Sequence, residues 1–303
     1  MKIIRDLNEL KDEVKIALAI GKFDGLHLGH QKLLAALLKQ KEKGFKTAVL
    51  TFAPPPEVYF GKGIVKQLLN ENEKEALIEA MGIDILIYFP MDKENAVIPA
   101  KDFVEDILLK KLKMGYLCAG SDLRFGAGGK GNSALIVEMA KEWGFLVEIV
   151  EKIFFGAREI SSSYVREAVE GGAMGLASQL LGRPYSFSGT VKEGLRLGRT
   201  LGFPTANLSL PETKVLPPNG VYLSKVMTSA GEFKGISNIG VKPTIEGGRR
   251  PGAETYIYDF AGDLYGTEIQ VFLEDFIRPE KKFASIEELK EQVNEDIRAF
   301  SRK

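Results

Sequence analysis

The chain holds two histidines, and they stand three residues apart as His27 and His30. Imidazole chemistry in this protein is therefore confined to one place. Both lie in GKFDGLHLGHQ, residues 21–31. Glycines at 21, 25 and 29 let backbone approach a ligand closely. Two imidazoles at i, i+3 near a helix start can both donate to phosphate oxygens. The N–H groups at that helix start favour the same anion. Taken alone, H-x-x-H also reads as a turn with two surface histidines; its glycine-rich setting after a first strand is what points to an anion. A structural zinc site takes four ligands, and two histidines with a single cysteine, Cys118, leave it short.

A second anion-binding element is ISSSYVR, residues 160–166. One serine before a helix is an N-cap. Three in succession, with Ser162 and Ser163 followed by Arg166 one turn into the helix, supply more donors than a cap needs. GAGGKG, residues 126–131, matches the dinucleotide pattern G-x-G-x-x-G. That fingerprint requires the first glycine to close the first strand and open a helix. This run follows the fourth strand, so it reads as a glycine-rich loop. Further on, PTAN (204–207) reads as a rigid turn presenting the Thr205 hydroxyl and the Asn207 amide oxygen. Such oxygens suit Mg²⁺ held beside substrate phosphates. The plain structural reading is a proline turn whose Asn ends a strand. The preceding GLRLGRTLG, with Arg196, Gly198 and Arg199, has the composition of a loop that folds over phosphates.

The elements that position these residues alternate in the first half. Strand-like runs are KIALAI (15–20), KTAVLTF (46–52), IDILIYF (83–89), Tyr116–Ala119 and Phe145–Val150. Helical spacing is read between them at QKLLAALLKQKEK (31–43), Glu71–Met81, Pro99–Lys113 and Ser133–Trp143. Strands alternating with helices of this length predict βαβ units and a parallel sheet covered on both faces. This is an α/β Rossmann-like domain. After a helical stretch over Tyr164–Leu181 the pattern changes to short runs such as GVYLSKVM (220–227), FKGISNIGV (233–241), TYIYDF (255–260) and EIQVFLEDF (268–276). Such spacing predicts a small antiparallel β-barrel, followed by a C-terminal helix capped at Ser285. The domains are read as 1–183 and 184–303.

Composition bounds the function. Of 303 residues, 45% are hydrophobic and 27% charged, which excludes a disordered or fibrous chain. Forty-one basic residues balance 41 acidic ones, which argues against nucleic-acid or membrane partners bound by charge alone. No apolar run reaches membrane-spanning length, and charge interrupts the N-terminus too often for a signal peptide. One cysteine excludes an internal disulfide and fits a reducing, cytoplasmic setting.

GKFDGLHLGHQ, GSDLRFGAGGKGN (120–132) and ISSSYVR together resemble the N-terminal module of the bacterial bifunctional riboflavin kinase/FMN adenylyltransferase (FAD synthetase) family. LGRPYSFSG (181–189), PTAN, GISNIGVKPTI (235–245), AETYIYDFAGDLYG (253–266) and FIRPEKKF (276–283) resemble its riboflavin kinase module, in the same order. The resemblance implies a nucleotidyltransferase domain that adenylylates FMN with ATP, releasing pyrophosphate and forming FAD. It also implies a barrel that phosphorylates riboflavin with Mg-ATP. Catalytic roles fall on His27, His30 and Arg166 in the first module. ATP-binding roles there fall on Gly21, Asp24, Gly29, Ser162 and Ser163, and on Asp122, which reads equally as a structural aspartate. In the second module Glu254 takes the place of the base, and Gly198, Thr205 and Asn207 hold ATP, the last two through Mg²⁺. A strand carboxylate such as Glu254 is otherwise a solvated outer-face residue. Lys22, Pro55 and Tyr256 stand where the family has Asn, His and His.

The implied partners are riboflavin, FMN and ATP; oligomeric state is not legible. Two rival readings remain. A nucleotidyltransferase for another phosphorylated acceptor has no use for the PTAN barrel. A flavin-binding carrier without catalysis has no use for the clamp residues and Glu254.

Overall fold

A computed structural model describes residues 1–10, 14–61, 63–192, 205–243 and 249–281, together with 283, 285, 287, 288, 291, 292, 295 and 296. Gly198, Arg196 and Arg199 lie outside the described residues. The chain divides into two compact units, one of residues 1–65 and 70–162, the other of residues 66–69 and 163–303.

The first unit is built on a six-stranded parallel sheet. Its strands are β1 (Lys2–Ile4), β2 (Ile16–Ile20), β3 (Lys46–Ala53), β4 (Ile85–Pro90), β5 (Met114–Gly120) and β6 (Leu146–Val150). They run in the order β1-β4-β3-β2-β5-β6, all pairs parallel. All five residues of β2, IALAI, are buried, as a central strand covered on both faces requires. β1 is an addition to the five strands expected. It spans three residues, the first of them charged, too few to show a period of two.

The helices of this unit are α1 (Leu28–Leu38), α2 (Glu71–Ala80), a composite α3 and α4 (Ser133–Trp143). α1 begins three residues before the expected Gln31, because His27 already takes the capping position. Its tail tightens into a 3₁₀ turn over Lys39–Lys43, ended by Gly44. Asn70 caps α2 reciprocally with Glu73, satisfying two backbone donors that the helix start leaves open. α3 opens as an α-turn at Ala100–Asp102 and then widens to a π-helix over Phe103–Lys111. An i→i+5 winding keeps Phe103, Ile107, Leu108 and Leu112 on one buried face, since they recur every four to five residues.

The expected helix over Tyr164–Leu181 is two helices, α5 (Ser162–Glu170) and α6 (Met174–Leu181). The Gly171–Gly172 pair between them stops the first: the Gly172 N–H turns back to the Val169 carbonyl, and φ there is 75°.

The second unit contains a closed barrel of β7 (Tyr185–Lys192), β8 (Thr205–Ser209), β9 (Gly220–Thr228), β10 (Gly231–Pro243), β11 (Arg249–Ile257) and β12 (Glu268–Arg278). All neighbours are antiparallel, in the order β7-β8-β11-β10-β9-β12. Closure leaves no strand edge open. Ser224, Ser237 and Thr255 lie fully buried on β9, β10 and β11, joined by hydroxyl contacts of 2.9 and 2.8 Å. Each hydroxyl thus has the partner that burial demands. Helical residues appear at 287, 288, 291, 292, 295 and 296, and the Ser285 hydroxyl accepts from the Glu288 N–H as expected of a cap. Arg278 of β12 holds the buried Asp296 through two nitrogens.

GAGGKG is a loop between two-residue strands at Arg124–Phe125 and Gly131–Asn132. Packing explains two of its glycines: a Cβ on Gly131 would meet the Phe125 ring at 2.6 Å. A Cβ on Gly126, whose φ is 69°, would lie 2.5 Å from the Ala100 Cα. Gly128 shares the left-handed backbone but has nothing within 4 Å. Gly126→Ala is expected to cost about 2–4 kcal/mol and Gly128→Ala about 1–2 kcal/mol, read from urea midpoints. Equal costs would contradict the packing role.

Candidate active site

In a parallel sheet a ligand crevice opens where the strand order reverses, beyond the carboxyl ends of the strands. Here the reversal lies between β2 and β5. A cavity of about 510 Å³ sits there, lined by the carboxyl-terminal residues Ile20, Phe52, Phe89, Gly120 and Val150 of five strands. Among the expected site residues, Gly21, His27, Gly29, His30, Asp122 and Ser162 line it.

The turn from β2 to α1 carries the histidines and has an unusual backbone. Phe23, Gly25 and Leu26 have φ of 50°, 83° and 44°, and only the glycine adopts this region without steric cost. The two L-residues cost about 1–2 kcal/mol each. Both are fully buried, and burying such side chains returns about 1.5–3 kcal/mol apiece. Side chains from four places fix the carbonyls of the turn. Thr51 Oγ1 and Lys74 Nζ donate to the Lys22 carbonyl at 3.2 and 3.1 Å. Ser162 Oγ donates to the Asp24 carbonyl at 2.8 Å, and Gln31 Nε2 to the Leu26 carbonyl at 2.9 Å.

The result is a stacked imidazole pair. The His27 and His30 rings lie 3.8 Å apart and 22° from parallel, with Phe23 5.1 Å from His30. Gly29 makes room for the His27 ring, since a Cβ there would come within 3.1 Å of Nδ1. Burial first, then His27 and Lys74, hold the His30 imidazole well below its ordinary value. Its Nδ1 is buried and has no hydrogen-bond partner among the described residues. Two stacked imidazoles beside a helix start have the chemistry that suits phosphate charge.

Other expected residues are placed differently. Asp24 is buried and does not line the cavity. Ser162 opens α5 and spends its hydroxyl on the backbone of the turn. Ser163 is exposed, and Arg166 follows Ser162 by one helical turn. Asp122 is an exposed carboxylate on the cavity wall, 3.7 Å from the Lys152 ammonium, and caps no helix. Lys22 reaches the Glu57 carboxylate, which offsets its charge at the cavity mouth. Pro55 takes the cap position of a short helical turn over Pro56–Tyr59. Lys74, Thr51 and Gln31 were not expected at this site. Nothing in ENEKEALIEA distinguishes Lys74 from a solvated helix lysine.

In the barrel, Thr205 and Asn207 belong to strand β8 rather than to a turn, which corrects the reading of PTAN as a turn. Ala206 and Leu208 are buried inward. Thr205 and Asn207 therefore share the opposite, partly exposed face. Asn207 stands directly across from Glu254, and Thr205 across from Tyr256. Glu254 is in turn across from Asn238 of β10, whose Oδ1 is buried without a hydrogen-bond partner among the described residues. Tyr256 packs edge-on against Tyr258 at 5.1 Å. An amide, a carboxylate and a second amide thus form one row across three strands.

Two family models match the chain: FAD synthetase over residues 9–164 and riboflavin kinase over residues 181–303. The bifunctional riboflavin kinase/FMN adenylyltransferase of Escherichia coli (strain K12) is 38% identical over 302 residues, covering 98% of this chain and 96% of that protein. Its Haemophilus influenzae counterpart is 38% identical over 301 residues, covering 98% and 97%. A Streptococcus pneumoniae structure described as a macrolide-efflux protein superposes with a TM-score of 0.86 at 28% identity, covering 98% of this chain and 97% of that one. Among the described residues, no helix is long and apolar enough to cross a membrane. One match carries the stacked histidines and the other the Asn207–Glu254 row, in the order of relatives that align almost end to end. The chain belongs to the bifunctional riboflavin kinase/FMN adenylyltransferase family.

Proposed function

We propose that the two sites act in sequence, the barrel making FMN from riboflavin and ATP and the parallel-sheet unit converting FMN to FAD. The functional boundary is set at residues 183/184. The observation that carries the second step is the stacked His27–His30 pair facing the cavity at the strand ends. In adenylyl transfer an FMN phosphate oxygen attacks the α-phosphorus of ATP and pyrophosphate leaves. No side chain need act as nucleophile. Holding two anions in line supplies several kcal/mol of the barrier, and each aimed donor contributes about 3–4 kcal/mol. His27 and His30 are assigned to the α-phosphoryl group, with Gly21 and Gly29 admitting the nucleotide. Arg166 and Ser163 are assigned to pyrophosphate. Ser162 and Asp24 serve by holding the turn, and Asp122 by pairing with Lys152.

In the barrel, Glu254 is assigned the proton of the ribityl 5′-hydroxyl as that oxygen attacks the γ-phosphorus and ADP leaves. Thr205 and Asn207 offer neutral oxygens on the same face as the Glu254 carboxylate, a donor set that fits Mg²⁺. When bound, the ion neutralises phosphate charge. Gly198 is assigned to the nucleotide on sequence alone. A cytoplasmic setting, where ATP and reduced thiols are available, suits the buried free Cys118.

Substitutions should separate the activities. His30→Ala is expected to lower FAD formation about 100-fold or more while sparing FMN formation. Glu254→Gln or Asn207→Ala should do the reverse when FMN is supplied. Loss of both activities in a folded variant would contradict the two-site assignment.

The histidine pair also predicts a pH effect. His30 is neutral in the free protein at neutral pH, and bound phosphate charge raises its affinity for a proton. ATP binding should therefore take up protons between the free and bound titration points of His30, fading as the pH rises above both. Calorimetry in buffers of different ionisation enthalpy reads this directly, and His30→Ala should remove it. Uptake that persists in that variant would place the proton elsewhere.

A further inference from the structure

Lys74 is an unexpected cation at the centre of the first unit. It lies on α2, its residue is 8% exposed, and its ammonium donates to the Lys22 carbonyl at 3.1 Å. Asp24, 6% exposed, and Glu71 interact with it electrostatically. A buried ammonium is costly unless it is paired and hydrogen-bonded. A solvent-facing lysine would serve α2 as well without that cost. Burial at this point therefore needs a reason in what the ammonium holds.

What it holds is the residue before the first left-handed position of the histidine turn. Lys22 precedes Phe23, and the Lys22 carbonyl takes donors from both Thr51 and Lys74. We propose that Lys74 is a positioning residue for adenylyl transfer: its ammonium fixes the Lys22 carbonyl and so holds the turn that aims His27 and His30. This rests on assigning the histidine pair to phosphate. The same ammonium has a second effect through charge. The groups acting on His30 are His27 from the turn and Lys74 from α2. Removing the ammonium takes a like charge away from His30 and takes one cation away from the buried Asp24. Both changes have the same sign, and both make His30 easier to protonate.

With only two histidines, their NMR titration is read without ambiguity in the full-length protein. Lys74→Met should move the His30 titration to higher pH. It should also lower FAD formation on the order of 100-fold, the scale of a misplaced catalytic group. FMN formation by the same preparation should stay unchanged. Lys74→Arg keeps a cation and donors, and should retain the wild-type titration and most of the activity. If Lys74→Met leaves both the titration and FAD formation unchanged, the assignment is wrong. It is equally wrong if Lys74→Arg loses as much as Lys74→Met, because packing alone would then account for the loss. Should Lys74→Met fail to fold, Lys74→Gln, which keeps an N–H donor without charge, should show the raised His30 titration; an unmoved one overturns the proposal. A wild-type protein that makes no FAD from FMN would refute the functional reading, while the titration would still decide the role of Lys74.

Discussion

Three left-handed residues in four, Phe23, Gly25 and Leu26, make the turn between β2 and α1 the constraint on which the candidate site depends. Such a backbone is not stable by local preference. It persists because two of its side chains are buried and because its carbonyls at 22, 24 and 26 each accept a side-chain donor. The donors come from β3, α2, the start of α5 and α1. The orientation of two imidazoles is thereby tied to the packing of elements far apart in sequence. Side chains locked by such supports keep the geometry that catalysis needs.

The barrel solves its own positioning problem by register. A strand alternates its side chains, so a slip of one residue would turn Asn207 and Glu254 inward. The buried Ser224–Ser237–Thr255 chain works against such a slip, because shifting β10 or β11 would break hydroxyl contacts that burial makes costly to lose. The inner face thus fixes which residues line the outer one. The row Asn207–Glu254–Asn238 follows from that register.

Much of this was legible in the residues. The alternation of KIALAI, KTAVLTF and IDILIYF with helical spacing determined the parallel sheet, and the two histidines line the cavity at its strand ends. The short β-branched and aromatic runs after Gly182 determined the barrel. What escaped shares a physical cause: it depends on contacts distant in sequence. β1 exists only by pairing with β4. The π-widening of α3 answers to the core it packs on. Thr205–Asn207 became a strand because β11 lay ready to pair with it. The bond from the Ser162 hydroxyl to the Asp24 carbonyl joins residues 138 apart in sequence, beyond any local pattern. Lys74 lay in a polar helix with no local mark of burial.

The proposed function has one chain make FMN at the barrel and FAD at the histidine pair. The most direct measurement follows the products by chromatography over time, starting from riboflavin, ATP and Mg²⁺ with the unaltered protein. FMN should rise first and then decline as FAD accumulates. FMN that accumulates without FAD would contradict the role given to His27 and His30. FAD formed from supplied FMN but never from riboflavin would contradict the role given to Asn207 and Glu254.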